Sequence, residues 1–200
     1  VIAVVAVLLV GGAVGATVRA LGTPEMTIAV PSPRDGSRAQ SKIIELAHPP
    51  RRPETVVLTE AEVNGLLARH LVEARGIRLS SPRARLLGDG RLVLFALSPA
   101  RHLLDELSLA VMADLLPEAW QTRPVWLRIG ARVRVEGGPH RRLRIDVDEF
   151  AIGRQRVPAK VLRLLVDPAT VGLLQWPLPD HVGHVGIEPG RVVIQTEPPR

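Results

Sequence analysis

The sequence predicts an α+β fold: a curved antiparallel β-sheet wrapped around helices, preceded by an N-terminal transmembrane helix. Three observations predict it. Val1–Val18 carries no charge at all, a run of 18 residues that Arg19 stops. Two long stretches near the middle of the chain alternate apolar and charged residues with period two, the signature of half-buried strands. A capping-box pattern, Thr59 with Glu62, opens a segment whose apolar residues recur at helical spacing.

The apolar run comes first. At about 1.5 Å per residue, a helix of this length nearly crosses a hydrocarbon core of about 30 Å. A cleaved signal peptide, with small residues at Gly15 and Ala16, is the competing reading. The length of the run favours an uncleaved anchor over residues 1–19. Gly11 and Gly15 form a G-x-x-x-G pair of the kind that lets two such helices pack closely. Residues 20–53 hold Pro24, Pro31, Pro33, Pro49, Pro50 and Pro53 and read as an extended stalk, with at most a short turn at "SKIIELA".

The domain then occupies residues 54–200. In its opening helix, Val63, Leu66, Leu67, Leu71 and Ala74 share one face; Asn64 falls at the edge of that face and His70 inside it. An amide among apolar residues implies a backbone partner at a sheet edge or loop, and the histidine reads as a packed neutral ring. After Gly76 the period becomes two. "SPRARLLGDGRLVLFAL" gives a hairpin turning at Gly88, Asp89 and Gly90, and its second strand, Leu92–Leu97, is apolar on both faces and so covered on both. "SPARHLLDELSLAVMADLLPEAW" suits a helix through Leu103, Leu104, Leu107, Val111 and Leu115, although "LSLAVM" suits a strand as well.

"VWLRIGARVRVE" points Val125, Leu127, Ile129, Ala131, Val133 and Val135 one way, with Arg128, Arg132, Arg134 and Glu136 the other. After "GGP", Leu143, Ile145 and Val147 oppose Arg142, Arg144, Asp146 and Asp148, until the alternation slips at Glu149 and turns Phe150 and Ile152 inward. That slip predicts a bulge. Arginine and carboxylate pairs then decorate the outer side. A helix over Pro158–Val166, a short helix in "DPATVGLLQWPLP" stopped at Pro177, and a hairpin around "EPGR" setting Val185 and Ile187 beside Val192 and Ile194 complete the order.

Composition narrows the function. The chain carries 26 basic against 20 acidic residues, and only Lys42 and Lys160 among the basic ones are lysine. Aromatic content of 2%, with no tyrosine, argues against a stacking platform for nucleic acid, and no basic block reads as a nucleic-acid arm. With no cysteine there is no disulfide, thiolate metal site or lipidated cysteine. Asp180, His181 and His184 in "DHVGH" have metal-ligand types, but no helix sets their spacing, so they read as loop polarity. Asp146, Asp148 and Glu149 lie along a strand and do not converge as a calcium loop or a carboxylate dyad would. No nucleophile-elbow, P-loop, dinucleotide or zinc-protease motif is present, and Ser80, Ser81, Ser98 and Ser108 have no motif around them. The residues argue for neither an enzyme nor a cofactor.

"LTEAEVNGLL" resembles the L-[ST]-x-x-x-[IVL]-N-x-[IL]-[IL] helix of small bacterial membrane-anchored envelope proteins of the YpmS-type and YceB-type families, through Leu58, Thr59, Val63, Asn64, Leu66 and Leu67. Those families are similar to tubular lipid-binding (TULIP-like) proteins. The match covers about ten residues, and the layout of anchor, stalk, helix and hairpins agrees with it. The chain departs from the pattern in its scarcity of aromatics and in the ambiguous segment after Pro99. The resemblance implies a single-pass membrane protein with its domain on the extracytoplasmic face, binding lipid or another apolar ligand without catalysis. The charges after the apolar run, Arg19, Arg34, Arg38 and Lys42, favour by themselves a cytoplasmic domain. The ligand-facing residues would be Val63, Leu66, Leu67, Leu71, Leu127, Ile129, Val133, Leu143, Ile145 and Val147. A dry, filled core uses the same residues equally well. The alternative function is a structural or assembly protein of the envelope working through protein contacts.

Overall fold

The structure is a computed structural model describing residues 22–23, 28, 30–71, 73–74, 77–102, 118–137, 141–157 and 175–198. The apolar run 1–18 and the helices read over 103–115 and 158–166 lie outside these residues. Among the described residues, no helix is long and apolar enough to cross a membrane.

The fold is α+β with antiparallel sheets. Helix α1 (Pro33–Leu46) leads into strand β1 (Glu54–Thr59) and helix α2 (Glu60–His70). Short strands β2 (Glu73–Ala74) and β3 (Ile77–Arg78) pair with each other. Strands β4 (Ser80–Gly88), β5 (Arg91–Pro99), β6 (Pro124–Glu136), β7 (Arg142–Ile152) and β8 (Gln155–Val157) follow in spatial order, with a one-turn helix α3 (Glu118–Gln121) before β6. Strand β9 (Gln175–Pro177) joins β7 beside Arg142–Arg144, so β8 and β9 both extend the far edge of the large sheet. Strands β10 (Val182–Glu188) and β11 (Arg191–Thr196) make a second sheet with β1, in the order β1-β11-β10.

The extended stalk expected over 20–53 is corrected by α1. Its prolines bracket the helix. Pro33 takes the first helical position, where a missing amide costs nothing, and no further proline occurs before Pro49. The amide and hydroxyl of Ser32 donate to Asp35 Oδ2 at 2.8 and 2.6 Å, closing the first turn. These bonds, with the nearby Arg38, pull the Asp35 carboxyl down to about 2. The residues just before Thr59 form strand β1, as suits the β-branched run Thr55, Val56 and Val57. Helix α2 itself starts where the capping box placed it: Thr59 Oγ1 accepts from the Glu62 amide at 3.2 Å, and Glu62 Oε2 accepts from the Thr59 amide at 2.8 Å. His70 is exposed, not packed on the apolar face, because α2 ends there and Leu71 has left helical geometry. The short helix expected to stop at Pro177 is instead strand β9 over its last residues, where the edge of β7 supplies backbone partners.

The alternations hold in detail. Asp89 and Gly90 turn β4 into β5 with φ of 52° and 72°, the two left-handed residues of a tight hairpin. On β5, Val93, Phe95 and Ala96 are buried and Leu92, Leu94 and Leu97 partly so, which covers both faces. Gly130 pairs with Glu149 and Ala131 with Val147, leaving Asp148 as the extra residue of a bulge in β7. The slip at Glu149 is that bulge, and beyond it Phe150 and Ile152 pack against the core around Leu79, Ala96, Val125 and Leu127. A second core centre comprises Leu86, Val133 and Ile187, joined by Val63, Leu92, Leu143, Ile145 and Val192. Val185 faces Ile194 and Ile187 faces Val192 across the last hairpin.

Candidate functional site

One face of the large sheet is apolar along three adjacent strands. Register sets Leu92, Leu94 and Ala96 of β5 opposite Ala131, Ile129 and Leu127 of β6, and these opposite Val147, Phe150 and Ile152 of β7. Of the ten residues expected to face a ligand, Val63, Val133, Leu143 and Ile145 meet in one core centre; Leu71 and Leu127 belong to the other. Leu66, Leu67, Ile129 and Val147 are partly buried and fall in neither centre. The face is therefore continuous across the sheet, while its packing concentrates at two ends.

Ser98 is the polar exception. It pairs with Val125 and continues the alternation of Leu94 and Ala96, so it lies on the apolar face. Its side chain is fully buried, and its hydroxyl has no hydrogen-bond partner among the described residues. A buried hydroxyl without a partner costs about 1–3 kcal/mol, which a bound polar group or water would recover.

Helix α2 lies at the β4 edge of this face. Asn64, only 1% exposed, donates from Nδ2 to the Ala84 carbonyl at 3.0 Å and accepts the Ala84 amide on Oδ1 at 2.6 Å. One turn earlier, Glu60 accepts the Leu86 amide at 2.8 Å, and the Gly190 amide donates to the Leu86 carbonyl at 3.0 Å. These groups take the place of a neighbouring strand along the open edge of β4, as the amide's expected role at a sheet edge required. Glu60 carried no such signal in the sequence, because a glutamate in a first turn reads as dipole complement alone.

Helix α1 is clamped onto α2 from outside. Lys42 Nζ donates to both Glu62 oxygens at 2.8 and 2.9 Å and to the Val57 carbonyl at 2.7 Å. Arg69 reaches the Pro33 carbonyl at 3.1 Å and Ser37 Oγ at 2.8 Å. His181, buried, donates from Nε2 to the Leu46 carbonyl at 2.7 Å, whereas Asp180 and His184 are exposed. The "DHVGH" residues thus diverge, and the described residues hold no cluster able to bind a metal. His181 secures the end of α1.

Burial pushes the Glu62 carboxyl up, but hydrogen bonds from Lys42 and the Thr59 amide outweigh it and hold the group below its ordinary 4.5. A carboxyl lowered by folding stabilises the fold above its unfolded value, and that stability is lost as pH falls through the lowered value. Lys42→Met removes the partner and leaves a buried carboxylate. Because the lysine side chain is about one-third exposed, the expected cost at neutral pH is about 1–3 kcal/mol, below that of a fully buried pair. Urea melts of both proteins at pH 7 and pH 4 check this: the gap narrows at the lower pH.

Two clefts among the described residues lie away from the apolar face. One, of about 20 Å³, sits between Leu46, Pro50, Val56 and Thr196 and has room for little more than a water. The other is a wide, open recess of about 570 Å³ lined by Ser32, Pro33, Arg34, Ser37, Arg38 and Arg69. Neither touches any of the ten expected ligand-facing residues. On the opposite side of the sheet, Arg134 and Arg144 bond Asp146, Arg144 also bonds Glu136 at 2.7 Å, and Glu149 lies 3.3 and 3.4 Å from Arg128 and Arg156. The expected cross-strand pairs are present. Neither a scan against protein-family models nor a search of curated proteins matches this chain.

Proposed function

We propose that the chain is a membrane-tethered, non-enzymatic module of the cell envelope that binds lipid or another apolar ligand on the Leu127 face of its large sheet. The observation that carries this reading is the buried Ser98 hydroxyl, without a hydrogen-bond partner among the described residues, on an otherwise apolar surface. Apolar sites commonly combine a greasy lining with one or a few polar groups that fix the ligand's orientation. Leu94, Ile129 and Val147, side by side across three strands, supply the lining for an acyl chain. Ser98, farther along β5, supplies a donor for a carbonyl or carboxylate at its head. Helix α2, bonded to the β4 edge, forms one wall. The apolar run 1–18 is the tether.

Native mass spectrometry of the detergent-extracted full chain, with lipid extraction in parallel, tests the reading. A bound acyl lipid near one per chain supports it. Val147→Glu, which places a charge on the lining at a partly buried position, is expected to empty the site by at least about tenfold while the chain still folds, since an unpaired charge at an apolar contact costs more than about 1.4 kcal/mol. Protein that carries no lipid and takes up no acyl probe would mean that the face is closed by its own side chains. In that case an assembly protein acting through protein contacts is the better account.

A further inference from the structure

We infer a second surface, on the opposite face of the large sheet, that docks on the phosphate headgroups of an anionic bilayer. It rests on the tether reading only for bringing a bilayer close. The carrying observation is a register: Arg91 of β5 stands directly opposite Arg132 of β6, and both are exposed. Directly opposed side chains in an antiparallel pair lie about 4.5–5.5 Å apart at Cβ, and like charges there destabilise the sheet. Exposed Arg85 lies on the same face, since it pairs with Val93, the alternate neighbour of Arg91.

The carboxylates within reach are otherwise engaged or too few. Asp146, the cross-strand partner of Arg132, is held by Arg134 and Arg144. Glu188 is bonded to Arg191 at 2.6 Å, and Asp89 in the turn with Asp148, whose Oδ1 lies over Gly130, leaves three guanidinium groups facing two acids. Guanidinium forks match phosphate oxygens in pairs. Leu87, next on β4, is 42% exposed at the rim of the cluster, where a bilayer would take up an apolar side chain beside its headgroups. A cluster of arginines with an exposed leucine suits a lipid interface better than an acidic protein groove, and the scarcity of aromatics disfavours a nucleic-acid strand.

The chain has no cysteine, so Gly137→Cys offers a single labelling site at a position with open space around it. The labelled full chain is placed in nanodiscs of phosphatidylcholine alone or with phosphatidylglycerol, and energy transfer to acceptor lipids is read. Transfer should rise with phosphatidylglycerol and fall as salt screens the contact. Arg91→Glu replaces a repulsive pair with an attractive one, so its melting temperature should not drop. Each basic side chain near an anionic surface contributes about 1 kcal/mol, so reversing one charge should weaken docking about 30-fold. Equal transfer in both lipid compositions, or an Arg91→Glu chain that docks normally, would overturn the inference. So would loss of protein crosslinks in Arg91→Glu without any response to anionic lipid. If the chain does not enter nanodiscs, the tether reading fails, and the same label read against vesicles of the two compositions still decides the surface.

Discussion

Replacing Asn64 with leucine is expected to destabilise the chain by about 2–5 kcal/mol. Among the described residues the Asn64 amide is the one side chain that partners both the amide and the carbonyl of Ala84, and it is almost completely buried. Leucine fills similar volume but leaves two buried backbone groups unpaired, each at about 1–3 kcal/mol. Asn64→Asp separates the two bonds. An aspartate still accepts from the Ala84 amide but faces the Ala84 carbonyl with a second acceptor. Denaturant melts should therefore rank wild type above Asp and Leu, with hydrogen exchange rising first at Ala84. A leucine variant as stable as wild type would show that the edge of β4 finds other partners.

Gly65→Val is the second large effect. A Cβ at Gly65 would stand 2.3 Å from the Gly36 nitrogen and 2.7 Å from its Cα, so α1 and α2 touch backbone to backbone. The obstructing atoms cannot rotate away. Overpacking of this kind costs about 3 kcal/mol, offset only in part by the better helix propensity of a side chain over glycine. The expected outcome is that α1 separates from α2 while the large sheet survives. Limited proteolysis should then cut within Pro33–Leu46, which the wild type protects. Gly65→Val that leaves this segment protected would mean that the Lys42 and Arg69 bonds hold the helices at a wider spacing.

The fold was most legible where local pattern and tertiary demand coincide. The Asp89–Gly90 turn, the strand alternation of Leu127 to Val135, and the bulge at Asp148 all follow from residue order, since period two fixes which face each side chain meets. Asn64 was legible for the same reason: a buried amide must find a partner. Helix α1 was not legible. Its sequence carries two serines and two arginines between prolines and buries only Asp35, Gly36 and Ala39, and it is held by bonds to residues at least 15 positions later, such as Lys42 to Val57 and Arg69 to Pro33. His181 misled in the same way, since its partner at Leu46 lies 135 residues away. Of the site, the apolar face was visible as a list of residues, but not its division between two packing centres. That division depends on where β10 and α2 come to rest, which no spacing encodes.

Strand β1 owes its place to β11. Glu54 sits opposite Thr196 and accepts a bond from the Thr196 hydroxyl at 3.1 Å across 142 positions of sequence. During synthesis, β1 and the helices on either side of it must wait until Arg191–Thr196 has left the ribosome before the small sheet can close. Contacts of such long separation slow the search for the native state, and a strand left waiting exposes its unpaired edge. A strand completed this late needs to be kept apart from other strands until β11 arrives.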